Sequence, residues 1–204
     1  MAFLTEQQLN QLAETVRAVE KVTDAELVTV LARASDNYGF IPTLWAAILA
    51  LLTPAVLLMT PFWLHGIELF LLQSAVFVAL ALIFRLPFIR YRLVPGRIRK
   101  SRAFMMARRM FLDQGLHHTK KDTGILIFVS EAEHYVEILV DRGISQHVDD
   151  SEWQKIIDQF VVKVKAGAVL EGFEECIASV ADIVRDVVPA TEEKNELPDR
   201  LIVI

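Results

Sequence analysis

Two long apolar runs interrupt a chain that elsewhere follows helix and strand periods. From Asn37 through Ile67 there is no Asp, Glu, Lys or Arg. The first run, Ile41 to Leu64, is about 24 residues, or ~36 Å as a helix, against a hydrocarbon core of ~30 Å. A turn at His65-Gly66 follows. The second run, Ile67 to Ile89, carries Glu68 at one end and Arg85 near the other, where side chains reach an interface. This pattern predicts a transmembrane hairpin. Pro54 predicts a kink in the first helix, and Pro61 lies near its far end. Gln73, deep in the second run, can hydrogen-bond across the hairpin or to a second copy, so a homo-oligomer stays open.

Outside the hairpin the pattern changes. Thr5, with Gln8 at the capping-box position, opens a helix to about Val22, in which Leu9, Leu12, Val16 and Val19 recur at helical spacing. ELVTVLARA, from Glu26, reads as a strand. A helix is expected from Arg97 to Leu116, with apolar Ile98, Phe104, Met105, Met110 and Phe111. TGILIFVS, from Thr123, suits a strand buried on both faces. Glu131-Ala132-Glu133 is a turn, HYVEILV is the hairpin partner strand, and Asp141-Arg142-Gly143 ends it. Asp150 or Ser151 caps a helix to about Lys165, with Trp153, Ile156, Ile157, Phe160 and Val161 inward. A last helix runs from Val169 to Val187, with Phe173, Ile177, Val180 and Ile183 on one face. The polar tail from Pro189 to Arg200 closes on Leu201, Ile202, Val203 and Ile204. That tetrapeptide is too short to span a membrane and is either an edge strand, a groove-docking contact for a partner, or a frayed end.

One strand precedes the hairpin and two follow it. A lone strand and helix make no stable domain, so the N-terminal piece is expected to pack onto the C-terminal piece. The expected organisation is an N-terminal helix and strand over 1–39, a membrane hairpin over 40–93, the main part of the same domain over 94–188, and a tail over 189–204. The fold class is α/β: a small central sheet flanked by helices, interrupted by two transmembrane helices.

Charge orients this arrangement. Arg85, Arg90, Arg92, Arg97, Arg99, Lys100, Arg102, Arg108 and Arg109 crowd one stretch that contains no acid, while the His65-Gly66 turn has no Lys or Arg. The positive-inside rule then puts both termini in the cytoplasm and the turn outside. Arg90, Arg92, Arg97, Arg99 and Lys100 are expected to touch anionic headgroups of membrane lipid. No nucleic-acid motif accompanies these bases, so nucleic acid is not an expected partner. The start, MAFLTEQQLNQLAETV, has neither a basic n-region nor an apolar h-region, so no signal peptide is expected. Cys176 is the only cysteine, which excludes an intrachain disulfide.

The stretch FLDQGLHHTKKDTGILIFVSEAEHYVEILVDRGISQHVDDSEWQKIIDQF, with GAVLEGFEECIASVADIV after it, resembles the TPM domain family. The TGILIFVS strand, the short acidic turn, the VEILVDRGI strand end, the Trp153 helix start and a final helix opening EGF carry the resemblance. A weaker likeness covers Leu9 to Ala34, which makes the membrane hairpin an insertion within the domain. The resemblance implies an α/β sandwich. It also implies one of two functions: a metal-binding, weak acid phosphatase, or a factor in assembly, repair or modulation of membrane complexes. LemA-type membrane proteins are the candidate partners it suggests.

The residues themselves offer one candidate ion site. Asp122 precedes the first hairpin strand, Asp141 ends the second, and Asp149, Asp150 and Glu152 enter the Trp153 helix. Gathered carboxylates would suit Ca²⁺, or Mg²⁺ with retained waters. The same three acids at a helix N-terminus also suit capping and the dipole, and Asp122 and Asp141 suit turns. Asp141-Arg142-Gly143 departs from the family's glycine-rich turn. His117-His118 are adjacent rather than i,i+4, and no nucleophile elbow, Walker loop or dinucleotide fingerprint occurs. The expectation is an inner-membrane protein whose cytoplasmic domain binds a membrane partner; the alternative is a Ca- or Mg-dependent phosphatase.

Overall fold

A computed structural model describes residues 4–61, 64–191 and 201–204. Helix α1 (Glu6–Glu20) starts as its sequence demands. Thr5 Oγ1 accepts from the Gln8 amide at 3.3 Å, and the Thr5 amide donates to Gln8 Oε1 at 2.8 Å, closing a capping box. Strand β1 (Glu26–Ala32) follows. The chain then forms α2 (Phe40–Leu51), α3 (Thr53–Leu57), α4 (Gly66–Ile83), α5 (Pro87–Leu93) and α6 (Gly96–Asp113) before β2 (Gly124–Ser130) and β3 (Tyr135–Val140). The last elements are α7 (Arg142–Ser145), α8 (Asp150–Lys165), α9 (Val169–Val187) and β4 (Leu201–Val203). Two compact units result: residues 1–35 with 102–204, and residues 36–101.

The first unit is built on a four-stranded sheet in the order β3-β2-β1-β4. β1 and β2 pair in parallel from Glu26↔Gly124 to Ala32↔Ser130. β3 runs antiparallel to β2, and β4 runs parallel to β1 from Thr29↔Leu201 to Leu31↔Val203. Every residue of β1 and β2 is buried, which is why both read as apolar runs without strict alternation.

Parity sorts the side chains between two layers. Leu27, Leu31, Ile125, Ile127 and Val129 face α1, α8 and α9, meeting Leu12, Val16, Trp153, Phe160, Phe173 and Ile177. Val28, Val30, Leu126 and Phe128 face the other way, onto Ala103, Ala107 and Leu116. Phe160 and Phe173 join α8 to α9 edge-on, with centroids 4.8 Å apart at 72°. The sandwich and the packing of N- and C-terminal pieces into one sheet are therefore as the sequence predicts. Phe104 and Met105 are exposed, whereas Ala103 and Ala107 are fully buried, because small residues let the helix approach the sheet closely.

In the second unit, α2 packs on α4, with α3 and α5 alongside. Its small core holds Tyr38, Ile41 and Val94, with Tyr91 edge-on to Tyr38 at 6.0 Å and 81°. Phe40–Leu57 and Gly66–Ile83 are long and apolar enough to cross a membrane. No residue of the second is buried, and Leu58 and Met59 are 85% and 90% exposed. Such a surface suits hydrocarbon rather than water.

The helices are shorter than the apolar runs. The first breaks at Leu52 with Pro54 in the first turn of α3; the second ends at Ile83, and Pro87 starts the separate α5. His65-Gly66 is not a turn but the start of α4: the His65 amide donates to Glu68 Oε2 at 2.8 Å. Phe62, Trp63 and the tail segment 192–200 lie outside the described residues.

Two measurements check the packing. A Cβ on Gly124 would lie 2.2 Å from the Leu116 carbonyl oxygen, whereas one on Gly66 meets nothing within 4 Å among the described residues. Gly124→Ala should cost about 2 kcal/mol or more and lower the thermal midpoint in detergent by several degrees; Gly66→Ala should stay within ~1 kcal/mol. Burial pushes the Cys176 thiol up to about 12. The folded protein should therefore resist alkylation at pH 8 and react after denaturation.

Candidate functional site

The C-terminal ends of the parallel strands carry the most developed polar geometry. β2 ends on Ser130, and the turn Glu131–His134 follows. The turn is bonded back onto β1: the Glu131 amide donates to the Ala32 carbonyl at 2.9 Å, and the Ala132 amide to the Arg33 carbonyl at 3.1 Å. Glu133 is buried, 5% exposed, and its Oε2 accepts from the Ser35 amide at 3.0 Å and from the Ser130 hydroxyl. The Ser35 hydroxyl donates to Ser130 Oγ at 2.9 Å. A buried carboxylate is tolerable only when its oxygens are bonded in this way. Glu133 thus locks the exit of β1, the last residue of the first unit before the insert, to the end of β2.

Two cavities open on one sheet face beside this lock. One, of about 240 Å³, lies under the second half of α8, where Glu131, His134, Tyr135 and Lys165 supply polar groups to walls of Val129, Val136, Phe160 and Val164. The other, of about 320 Å³, lies beside α1, with Arg33 and Glu131 facing Leu9, Leu31 and Val203. Glu131 serves both. His134 is held at φ +51°, a left-handed conformation that non-glycine residues rarely adopt. Tyr135 donates to Glu137, and burial together with that carboxylate pushes its phenol well above the ordinary range, so it stays protonated. Open α/β sheets place ligands at the carboxyl ends of their strands, and both cavities occupy that position.

The expected ion ligands lie at the opposite end. Asp122, at φ +54°, accepts the Gly143 amide on its carbonyl at 2.8 Å, and a Cβ on Gly143 would lie 2.2 Å from the Lys121 carbonyl oxygen. Asp141 Oδ1 caps α7 by accepting from the Arg142 amide at 2.7 Å; its Oδ2 is buried without a partner. Asp149 occupies the α8 N-cap position without a side-chain hydrogen bond, Asp150 follows it, and Glu152 pairs with Lys155 at 2.6 Å. Asp122 and Asp141 share one end of the β2–β3 hairpin. Yet among the described residues no three His, Cys, Asp or Glu groups are gathered to hold one ion. Ca²⁺ needs six or more oxygens and Mg²⁺ a near-octahedral set, which these five acids do not supply together.

The remaining predicted residues separate as well. Ile202 and Val203 lie in β4, paired to β1 with Leu201, and the Ile204 amide donates to the Leu31 carbonyl at 3.0 Å. The tetrapeptide is thus an edge strand of its own sheet, and Val203 walls the second cavity. Arg90 donates to Asn37 Oδ1 at 2.6 Å and stacks over Tyr91 at 4.9 Å. Arg92, Arg97 and Lys100 are exposed, and Arg99 is half-buried.

Residues 94–183 match the family of the TPM domain. That stretch is a TPM domain. The NMR structure of the BA42 protein from the psychrophilic bacterium Bizionia argentinensis is similar in fold. Its TM-score is 0.60 at 16% identity, and the match covers 98% of this chain and 95% of that one. No curated protein matches the chain. β1 and β4 lie outside the matched stretch yet complete the TPM sheet, because β2 needs a parallel neighbour to bury its second edge. Sequence reasoning missed the Ser35–Ser130–Glu133 lock and Lys165; the acidic turn was the visible signal, but its partner lies 98 residues upstream.

Glu133→Ala would take away the acceptor of the Ser35 amide and of the Ser130 O–H. We expect a loss of about 2 kcal/mol in thermal unfolding and faster hydrogen exchange at Ser35. A pH effect belongs to the other end of the sheet. Burial pushes the Asp24 carboxyl up, but hydrogen bonds from the Thr191 hydroxyl and amide and the Lys121 ammonium at 3.6 Å outweigh it and hold Asp24 below its ordinary 3.8. Its contribution is present above that value and lost as the pH falls through the lower folded value. Asp24→Asn should flatten the acid side of the thermal midpoint between pH 5 and 2.

Proposed function

We propose that this protein is an integral protein of the bacterial inner membrane whose TPM domain works on the cytoplasmic side. There it docks a membrane partner and aids assembly or maintenance of a membrane complex. One observation carries the reading. β1 and β2 form one continuous parallel ladder, yet two membrane-length helices lie between them in the chain. The domain cannot close without the insert leaving and returning at the same membrane face, so it is tethered by both ends of that insert. The nine bases between Arg85 and Arg109, against none at His65-Gly66, support a cytoplasmic side. Arg92, Arg97 and Lys100 are exposed for headgroup contact.

The cavities flanking Glu131 supply a docking surface with both charges: Glu131 against Arg33 and Lys165. A segment bearing apolar side chains and a charge of either sign would fit, and a LemA-type membrane protein is a candidate source. Among the described residues the five acids are not gathered at one point, whereas the two cavities share Glu131, so docking is put first and a Ca- or Mg-dependent hydrolase is the alternative.

Tagged full-length protein, taken from native membranes in mild detergent, should bring down a membrane protein in stoichiometric amount. Glu131→Lys combined with Lys165→Glu should lose it at unchanged thermal stability. A partnerless preparation would contradict the reading. Topology has its own test, a membrane-impermeant maleimide applied to His65→Cys in a Cys176→Ala background. Labelling of intact cells with a permeabilised outer envelope is expected; labelling only after the inner membrane is opened would reverse the orientation.

A further inference from the structure

The two edges of the sheet are treated differently. Among the described residues β4 presents three. β3 presents six, Tyr135–Val140, with no Pro and no Lys, and Glu137, its one charge, is taken by the Tyr135 hydroxyl. Soluble domains blunt long apolar edges because unpaired N–H and C=O groups recruit another strand. The Asp141 amide donates to the Gly124 carbonyl. By the alternation of antiparallel ladders, Tyr135, Glu137 and Leu139 then bond to β2, while Val136, Ile138 and Val140 turn their backbone groups outward. Beside this edge, on the α6 face, lies a cavity of about 410 Å³ lined by Phe104, Arg108, Phe111, Leu112, Leu139 and Val140.

We propose that β3 is the seam of a two-fold dimer, its occupant being β3 of a second copy of this chain. The strand is self-complementary when centred on Ile138. Val136 then pairs with the partner's Val140, and Ile138 with the partner's Ile138, so all three outward residues exchange both backbone hydrogen bonds. β-branched residues meet across the seam. Charge selects this occupant over an unrelated strand. In that register the partner's Glu137 stands opposite Leu139, on the same face as the cavity that Arg108 lines. Arg108 lies over Phe104 at 5.5 Å and has no carboxylate partner among the described residues. Each subunit thus offers the other one acid and one base, twice over. Val136 and Tyr135 of the seam also wall the cavity at Glu131, whereas Arg108 and its cavity lie on the opposite sheet face, so Arg108→Glu tests the seam without touching the docking surface.

The test is the mass of full-length protein in detergent and in nanodiscs by light scattering across a dilution series. Twice the chain mass is expected. Val136→Pro removes an outward amide without touching the β2 ladder and should give the single mass. Arg108→Glu, at an exposed position, should weaken the dimer at least tenfold even if the proline variant fails to fold, and Arg108→Glu with Glu137→Arg should restore it. A single mass at every concentration would overturn the proposal. So would a dimer unmoved by Arg108→Glu, which would place the contact in the membrane helices, or a strand of another protein found seated on β3.

Discussion

The parallel ladder between β1 and β2 is the constraint on which everything else hangs. Parallel neighbours cannot be joined by a tight turn; the chain must travel from the C-terminal end of one strand to the N-terminal end of the next. Here that crossover contains α6, which covers the sheet with Ala103 and Ala107, and also an inserted unit with two membrane-length helices. An insertion at this place is tolerated because loop closure costs rise only slowly with length, whereas the seven-residue register and the two buried faces of β1 are recovered in full. The fold of the domain and the place of the two membrane-length helices in the chain therefore share one cause.

That arrangement explains where buried polarity was put. A strand that ends at the departure point of a long insert would fray. Glu133 prevents it by bonding Ser35 and Ser130 together, at the cost of burying a carboxylate. The turn that carries Glu133 also carries Glu131 and His134 into the neighbouring cavities. Rigidity and presentation come from the same four residues. The docking we propose would gain from this, since groups held before binding lose less freedom when a partner arrives.

Most elements were legible because local chemistry and long-range packing agree in them. Thr5 and Gln8 announce α1; the apolar run after Thr123 announces a strand covered on both faces; Gly167 separates α8 from α9 at a positive φ of 83°. Where they disagree, sequence misleads. On α6 the sheet takes Ala103 and Ala107, while the larger apolar Phe104 and Met105 stay exposed. Pro54 and Pro87 mark the helix breaks, yet hydropathy counts straight through both. The five acids lie near one another in the chain, but Asp141 caps α7 and Glu152 pairs with Lys155, and among the described residues no three such groups are gathered at one point. β4 is three residues whose pairing depends on a strand in the N-terminal part of the chain, and nothing local encodes that register.

The central claim is that one TPM domain closes around a membrane insert. It is tested most directly by replacing residues 40–93 with a short Gly/Ser linker and comparing the product with the full chain under alkaline carbonate extraction. The full chain should stay with the membranes. The linker variant should move to the supernatant as a cooperatively unfolding domain, because β1 and β2 can pair without the helices. A full chain released by carbonate, or a linker variant that is soluble yet shows no cooperative unfolding, would contradict the account.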